Sequence, residues 1–329
     1  MSDPELVELS SPSAPGGGLL RRTLSNPAGA ASVLILLTII VMAIIAPLVA
    51  PQGPNYGDLH EVLKPGSADH VLGTDGAGRD VFARLVFGAR ASLTGALLSV
   101  GIAAVVGIPF GMMAGFYGGW FDTVGLWISS LLMALPGIVV LLAFRASVSP
   151  SMWAAMAVFG VLLAPSFFNL VRAGVASVRN ELYVDAARVS GVSDVRIISR
   201  HVLRVVRAPI IIQAAMVMAI ALMIQSGLEF LGLGDLSTPS WGSMLNEGFQ
   251  NIFRAEHLVM WPGLTLTVTI GALALLANAL RDALDGSGGG PGKGKARKKE
   301  SPATARRAVK DAPEPLDPPD PAEPGSLVS

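Results

Sequence analysis

Six stretches of this 329-residue chain carry no charged side chain and are long enough to cross a bilayer: 30–50, 91–120, 123–144, 146–171, 208–228 and 259–280. A spanning helix needs roughly 20 apolar residues to traverse about 30 Å of hydrocarbon. Lipid offers no partner for backbone polar groups, so such runs must satisfy their own hydrogen bonds, as helices do. A soluble protein would need six separate buried helices of that length in one chain, an arrangement that run length argues against. Only 15% of the residues are charged, against about 25% in soluble domains, and they are confined between the runs. The fold class expected is an all-α integral membrane protein with six transmembrane helices. Arg21-Arg22 stands before the first run, but at about 20 residues that run exceeds the 7–15 of a signal-peptide core, so an uncleaved span is expected.

Between the runs the chain divides by composition. Residues 1–27 are rich in Ser, Pro and Gly and are predicted to be a disordered terminal segment. Residues 28–90 comprise the first span and a polar connector, whose second half, HVLGTDGAGRDVFARLVFGARASL, has helical spacing with Asp75 as a candidate N-cap. Residues 91–285 hold the remaining five spans. GFYGGW at 115–120 predicts a tight interfacial turn with Tyr117 and Trp120 at headgroup depth. Pro136 falls near the middle of the third span and Pro165 in the fourth. Each removes a backbone hydrogen bond and is a candidate hinge, Pro136 reading equally as a packing kink or as a hinge lining a pathway. Met216, Met218 and Met223 in the fifth span read as adaptable packing or as wall of a path, to which Met216, Met223 and Gln225 are candidates. The segment 228–258, with Glu229 in it, reads as a polar loop. Residues 286–329 are Gly-, Pro- and Lys-rich, a second disordered segment that is either merely solvated or drawn to anionic lipid.

Charge asymmetry gives an orientation. Six spans place both termini on one side, and on that side fall 18 of the 24 Lys and Arg residues. The positive-inside rule therefore predicts cytoplasmic termini. What the spans lack is equally informative. There is no cysteine, and all four histidines lie outside the runs, which excludes a thiol or intramembrane histidine metal site. GGGPGKGK at 288–295 is not a phosphate loop, because Lys293 is followed by Gly294 and no strand precedes it. With no ionisable residue inside any run, a proton relay has no members. Uphill transport by this chain would need energy from another subunit.

The stretch 172–207, RAGVASVRNELYVDAARVSGVSDVRIISRHVLRVVR, carries seven arginines between two uncharged spans. Tyr183, Val184, Ala187 and Val189 share helical spacing up to Gly191, a residue suited to a left-handed helix end. Ser193 is placed to cap a second helix, its apolar side formed by Val195, Ile198, Val202 and Val205. From the residues alone, this is either a docking surface for a partner protein or an amphipathic hairpin lying on lipid headgroups.

The pattern Asp185-Ala186-Ala187, three residues, Gly191 resembles the EAA loop of permease subunits in bacterial ABC importers. LGTDGAGRDVFARLVFGARASL from Leu72, AGFYGGWFD through ALPG at Gly137, and FLGLG with TPSWGSML from Phe230 resemble the dipeptide/oligopeptide and nickel branch. The similarity covers about residues 30 to 285. It implies a type I ABC importer permease fold in the cytoplasmic (inner) membrane, paired with a homologous second permease. It also implies one or two cytoplasmic ATPases that bind ATP and Mg, and an extracytoplasmic substrate-binding protein. The coupling residues it implies are Glu181, Asp185, Ala186, Ala187, Gly191 and Asp194. No cofactor in this chain, no catalytic residue and no nucleic-acid partner is implied. The expected activity is import of di- or oligopeptides, the alternatives being nickel, glutathione or another small solute, or a non-transporting scaffold. The chain departs from the family pattern at Asp185 (usually Glu), Arg204 (usually Pro, with Pro209 five residues on), Trp127 and Ser130 (often Arg and Asp) and Gln225 (usually acidic).

Overall fold

The computed structural model describes residues 19–148, 151–182, 189–235 and 237–285. The predicted disorder of residues 1–18 and 286–329, and the Asp185-Ala186-Ala187 triplet, lie outside the described residues. The helices are α1 Leu19–Ser25, α2 Pro27–Val49, α3 Val81–Tyr117, α4 Gly119–Ala134, α5 Gly137–Ser147, α6 Met152–Val178, α7 Asp194–Ile197, α8 Leu203–Leu228, α9 Trp241–Gln250 and α10 His257–Asp285. Five of them are long and apolar enough to cross a membrane, and α4 with α5 makes a sixth crossing if counted as one broken span.

Helix packing shows that the broken pair does cross. The Ser99 hydroxyl on α3 donates to the Met156 carbonyl on α6 at 2.6 Å. A methyl group placed on Gly107, Gly111 or Gly115 would lie 2.4, 2.7 or 2.6 Å from the carbonyl oxygens of Ala164, Phe168 and Arg172. The partner is 57 residues further along in every case, so α3 and α6 run parallel. The chain between them must return through the full layer, and α4–α5 is the segment that does so. The glycine stripe also explains the closeness, since small residues let two backbones meet in lipid, where the hydrophobic effect does not drive helices together.

The return is bent by 76° at Leu135-Pro136, which is a break rather than the kink predicted at that proline. The pyrrolidine ring disfavours helical backbone at the residue before it, and Leu135 is extended (φ −77°, ψ 126°). Entry to α4 follows the predicted turn, with Gly118 and Gly119 both in the left-handed region (φ 67° and 57°).

Other expectations change. Within the segment predicted to be disordered, residues 19–25 form α1, because Thr23 is buried and its carbonyl sits against Gly29 of α2. Asp80, not Asp75, caps α3, accepting from the Ala83 N–H at 2.9 Å. At 37 residues α3 is about 55 Å long, well beyond the roughly 30 Å hydrocarbon layer, so its first turns stand clear of it. Those turns pack on α9, a helix inside the stretch read as a polar loop. Ser240 and Ser243 form a reciprocal capping box at the α9 start, and the buried Trp241 indole donates to the Leu85 carbonyl at 2.9 Å. Pro47 of α2 leaves the Ala43 carbonyl without its usual donor. Arg90 of α3 supplies one, its Nε lying 2.5 Å from Ala43 O and its Nη2 2.8 Å from Ile44 O.

Candidate functional site

Two regions at opposite ends of the bundle carry the chemistry. The first is the arginine-rich segment. Its opening residues are not loop: α6 runs on to Val178, so Arg172 lies on a helix and forms a two-pronged ion pair with Asp122 of α4, with Nη2 2.6 Å from Oδ2. Arg179 caps α6 and reaches the Gly115 carbonyl at the end of α3 (3.5 Å). These two arginines fasten three helix ends together. Nothing local in the sequence marks the Asp122–Arg172 pair, whose members are 50 positions apart.

Beyond Arg179 the surface opens. Glu181 is exposed, and Leu182 and Val189, on either side of the undescribed residues 183–188, are 86% and 90% exposed. Gly191 takes the predicted left-handed conformation (φ 75°), with open space where a side chain would be. The Ser193 carbonyl then accepts from the Arg196 and Ile197 N–H groups, and α7, starting at the partly exposed Asp194, opens through a π-turn, Ile198–Val202, directly into α8. The second half of the segment is thus the first turns of the fifth span, not a separate surface helix. Its inward residues are Ile197, Val202 and Val206, packed with Phe116, Val171 and Val175. Val205, assigned to that face from spacing, is half exposed, because the wider π-turn shifts the register by one residue. Arg196, Arg200, Arg204 and Arg207 are exposed. Arg204 continues the helix without a break, and Pro209 lies inside α8.

The second region lies where α8 ends, among α3, α5 and α6. A cavity of about 490 Å³ is lined there by Gln225, Glu229, Arg145, Asp235, Met152 and Trp153, among others. Glu229, assigned to a polar loop from sequence, is 3% exposed in a π-turn that continues α8 as far as Leu233. Gln225, one turn earlier, is 1% exposed and donates to the Glu229 carboxylate at 3.0 Å. Of the candidate path residues only Gln225 faces this cavity; Met216 and Met223 are exposed on α8 and do not line it. Pro165 lines a separate apolar cavity of about 380 Å³ between α3, α4 and α6, and Pro136 stands at the break of the third crossing. The Ser237 N–H and hydroxyl donate to Asp235 Oδ1 (3.0 and 2.8 Å) and hold its carboxyl below the usual aspartate range. Sequence reasoning missed Arg145, Glu229 and Asp235 as a group; the signal within reach was Glu229 at four residues from Gln225, on one helix face.

At the start of α3, where it packs on α9, the fold is held by an ionic network centred on the buried Asp75 and Arg84. The Asp75 carboxylate accepts from the Ala77 and Arg79 N–H groups (2.8 and 3.0 Å), from Arg79 Nε (2.8 Å) and from Arg84. Arg79 and Arg84 in turn bind Glu247 of α9, each at 2.9 Å. Burial alone would raise the Asp75 pKa, but the Arg79 N–H, the Arg84 charge and the Ala77 N–H together hold it below the ordinary value.

Residues 107–287 match the family described as binding-protein-dependent transport system inner membrane component, and residues 15–65 match the N-terminal transmembrane domain of oligopeptide transport permease C. The chain is 35% identical over 261 residues to the dipeptide transport system permease protein DppC of Alkalihalophilus pseudofirmus, covering 79% of this chain and 86% of that one. It is 33% identical to the glutathione transport system permease protein GsiD of Pectobacterium atrosepticum, over 80% of this chain and 89% of that protein. It is 31% identical to the probable D,D-dipeptide transport system permease protein DdpC of Escherichia coli, over 84% and 93%. With the family matched across more than half of its length and six apolar crossings in its fold, the chain belongs to the inner-membrane components of binding-protein-dependent transport systems.

Proposed function

We propose that this permease conducts di- and oligopeptides across the bacterial cytoplasmic membrane by alternating access, with its termini and the 172–207 segment in the cytoplasm. A homologous second permease would complete the path, and an extracytoplasmic binding protein would deliver substrate at the cavity end. One or two cytoplasmic ATPases, which bind the ATP and Mg, would dock on Glu181, Asp185, Ala186, Ala187, Gly191 and Asp194. The names of the relatives support a peptide cargo, and the glutathione permease among them keeps that tripeptide as the second reading.

One observation carries the coupling scheme: the helix that starts three residues after the open Gly191 corner continues as α8 and ends at the walls of the polar cavity. From Asp194 to Glu229 that rod is about 50 Å long. A push at the corner would therefore move the far end through one continuous helical path, interrupted in its hydrogen bonding by the π-turn at Ile198–Val202 and by Pro209.

The test replaces Gly191 with valine in the complete reconstituted transporter. A branched residue tolerates positive φ poorly, and open space at the corner means that nothing else is disturbed. The expected result is ATP hydrolysis retained with peptide uptake lowered about tenfold or more, the range of typical coupling energies. Undiminished uptake overturns the coupling role. Uptake of glutathione but of no dipeptide would decide for the second cargo.

A further inference from the structure

The polar cavity holds groups that coupling does not use. Gln225 Nε2 is occupied by Glu229 Oε1 (3.0 Å) and the Ala91 carbonyl (3.3 Å). Among the described residues the buried Gln225 Oε1 has no hydrogen-bond partner, and the Glu229 carboxyl group, 3% exposed, lines the same space. Arg145, from the last turn of α5, also lines the cavity, and its Nε and Nη1 are likewise buried and unpartnered among the described residues. Polar groups left this way are costly unless something is bound to them. The Ser237 donors to Asp235 favour its ionised form at neutral pH.

The donor and acceptor pattern restricts the ligand. Two carboxyl groups facing one guanidinium offer more acceptor oxygens than donors, so an ammonium group with several N–H donors suits the deep end of the site, where Glu229 sits. The free Arg145 N–H groups ask for an anion in the same molecule. The free Gln225 oxygen asks for a neutral N–H donor. Met152, Met156 and Trp153 give the remaining wall an apolar, adaptable surface. The volume falls within the 300–1,000 Å³ common for small-ligand sites. Gly95 makes room for the amide: a methyl group there would lie 2.6 Å from Gln225 Oε1.

We infer that this cavity is a selectivity site within the permease for zwitterionic peptides, Glu229 and Asp235 receiving the α-ammonium group, Arg145 the terminal carboxylate and Gln225 a peptide N–H. This rests on the peptide-import reading above. It adds a second checkpoint after the binding protein, placed on the same helix that would be moved from the ATPase side.

The experiment uses the complete transporter in proteoliposomes and three labelled probes: dialanine, N-acetyl-dialanine and dialanine amide. Removing one charge-assisted hydrogen bond is expected to cost about tenfold in uptake. In Glu229→Gln, and more weakly in the rim variant Asp235→Asn, the preference for dialanine over the N-acetyl probe is expected to fall about tenfold or less toward unity, with the preference over the amide unchanged. In Arg145→Gln the pattern is reversed. The binding protein is the same throughout, so a change in either ratio belongs to the permease. Variants that import all three probes less, with both ratios as in the wild type, show a purely structural cluster and overturn the site. Wild-type complex that hydrolyses ATP but imports none of the three probes overturns the peptide reading, and with it the ligand assigned here. Asp235→Asn removes an exposed charge, so at least one variant tests the idea with no risk to the fold.

Discussion

The two ends of the bundle use charge in opposite ways. At the cavity end, Asp75, Arg79, Arg84 and Glu247 face one another, and Asp75 and Arg84 are only 4% and 3% exposed. At the other end, Arg200, Arg204 and Arg207 point outward from a helix whose inner side is lined by apolar residues. The first arrangement ties a long connector and the short helix α9 to the start of α3, so it fixes shape. The second leaves shape to Ile197, Val202 and Val206 and presents its charges to something else. A charged segment in a membrane protein therefore says little until its partners are known: inward charge fixes structure, outward charge recruits.

If that contrast is right, the largest single effect should come from the buried network. Arg84→Met leaves Asp75 buried with one cation fewer and is expected to cost about 3–5 kcal/mol, as for one partner lost from a buried ion pair. Thermal unfolding of the detergent-solubilised permease measures it, and a loss below about 1 kcal/mol, the value of a surface pair, would erase the distinction between the two ends. Acid provides a second route to the same network. Because the folded Asp75 pKa is lowered, its contribution is complete above the ordinary aspartate value of about 3.9. It is lost as pH falls through the lower folded value. Wild-type protein should lose stability below about pH 4, and Asp75→Asn should flatten that limb of the curve.

The next effect belongs to the shared middle. Gly111→Leu places a side chain where a Cβ alone would be 2.7 Å from the Phe168 carbonyl. Overpacking of that kind costs about 1–3 kcal/mol. The α3–α6 contact should loosen while the ends keep their own character. A variant as stable as the wild type would mean that the parallel pair is not the frame on which both ends are mounted.

How far the sequence revealed this contrast depends on the range of the interactions. The six crossings were legible because each is a local property of about 20 residues, and the Gly191 corner because one residue type suits positive φ. The helix start was misassigned to Asp75 because two carboxylates five residues apart compete for one cap, and only the fold shows that Asp75 is taken by the arginines. The break at Pro136 was read as a kink because nothing local gives a bend its size. Arg145 comes from α5 while Glu229 and Asp235 come from the stretch that follows α8, and they converge only once α5 has folded back against the end of α8. Of the cavity, then, only Gln225 is legible in the sequence, as a candidate wall residue of the path and as a departure from the family pattern.

The smallest effects should come from the exposed end. Opening the Asp122–Arg172 pair, whose side chains are about one-quarter exposed, should give a coupling of about 1 kcal/mol or less in a double-mutant cycle of Asp122→Asn and Arg172→Gln. Replacing Arg200 and Arg204 together with alanine should do less still to stability, within about 0.5 kcal/mol, since both point into solvent. Recruitment is where those two would count. If outward arginines steer an ATPase to the Gly191 corner, the double variant should associate more slowly at low ionic strength and show a weaker dependence on salt, because exposed charges are screened within about 8 Å at physiological ionic strength. Association rates measured across a salt series carry the decision. Curves that coincide for the variant and the wild type would assign docking to the exposed apolar residues Leu182 and Val189 instead, and would leave the arginines the lesser task of fixing which side of the membrane the corner faces.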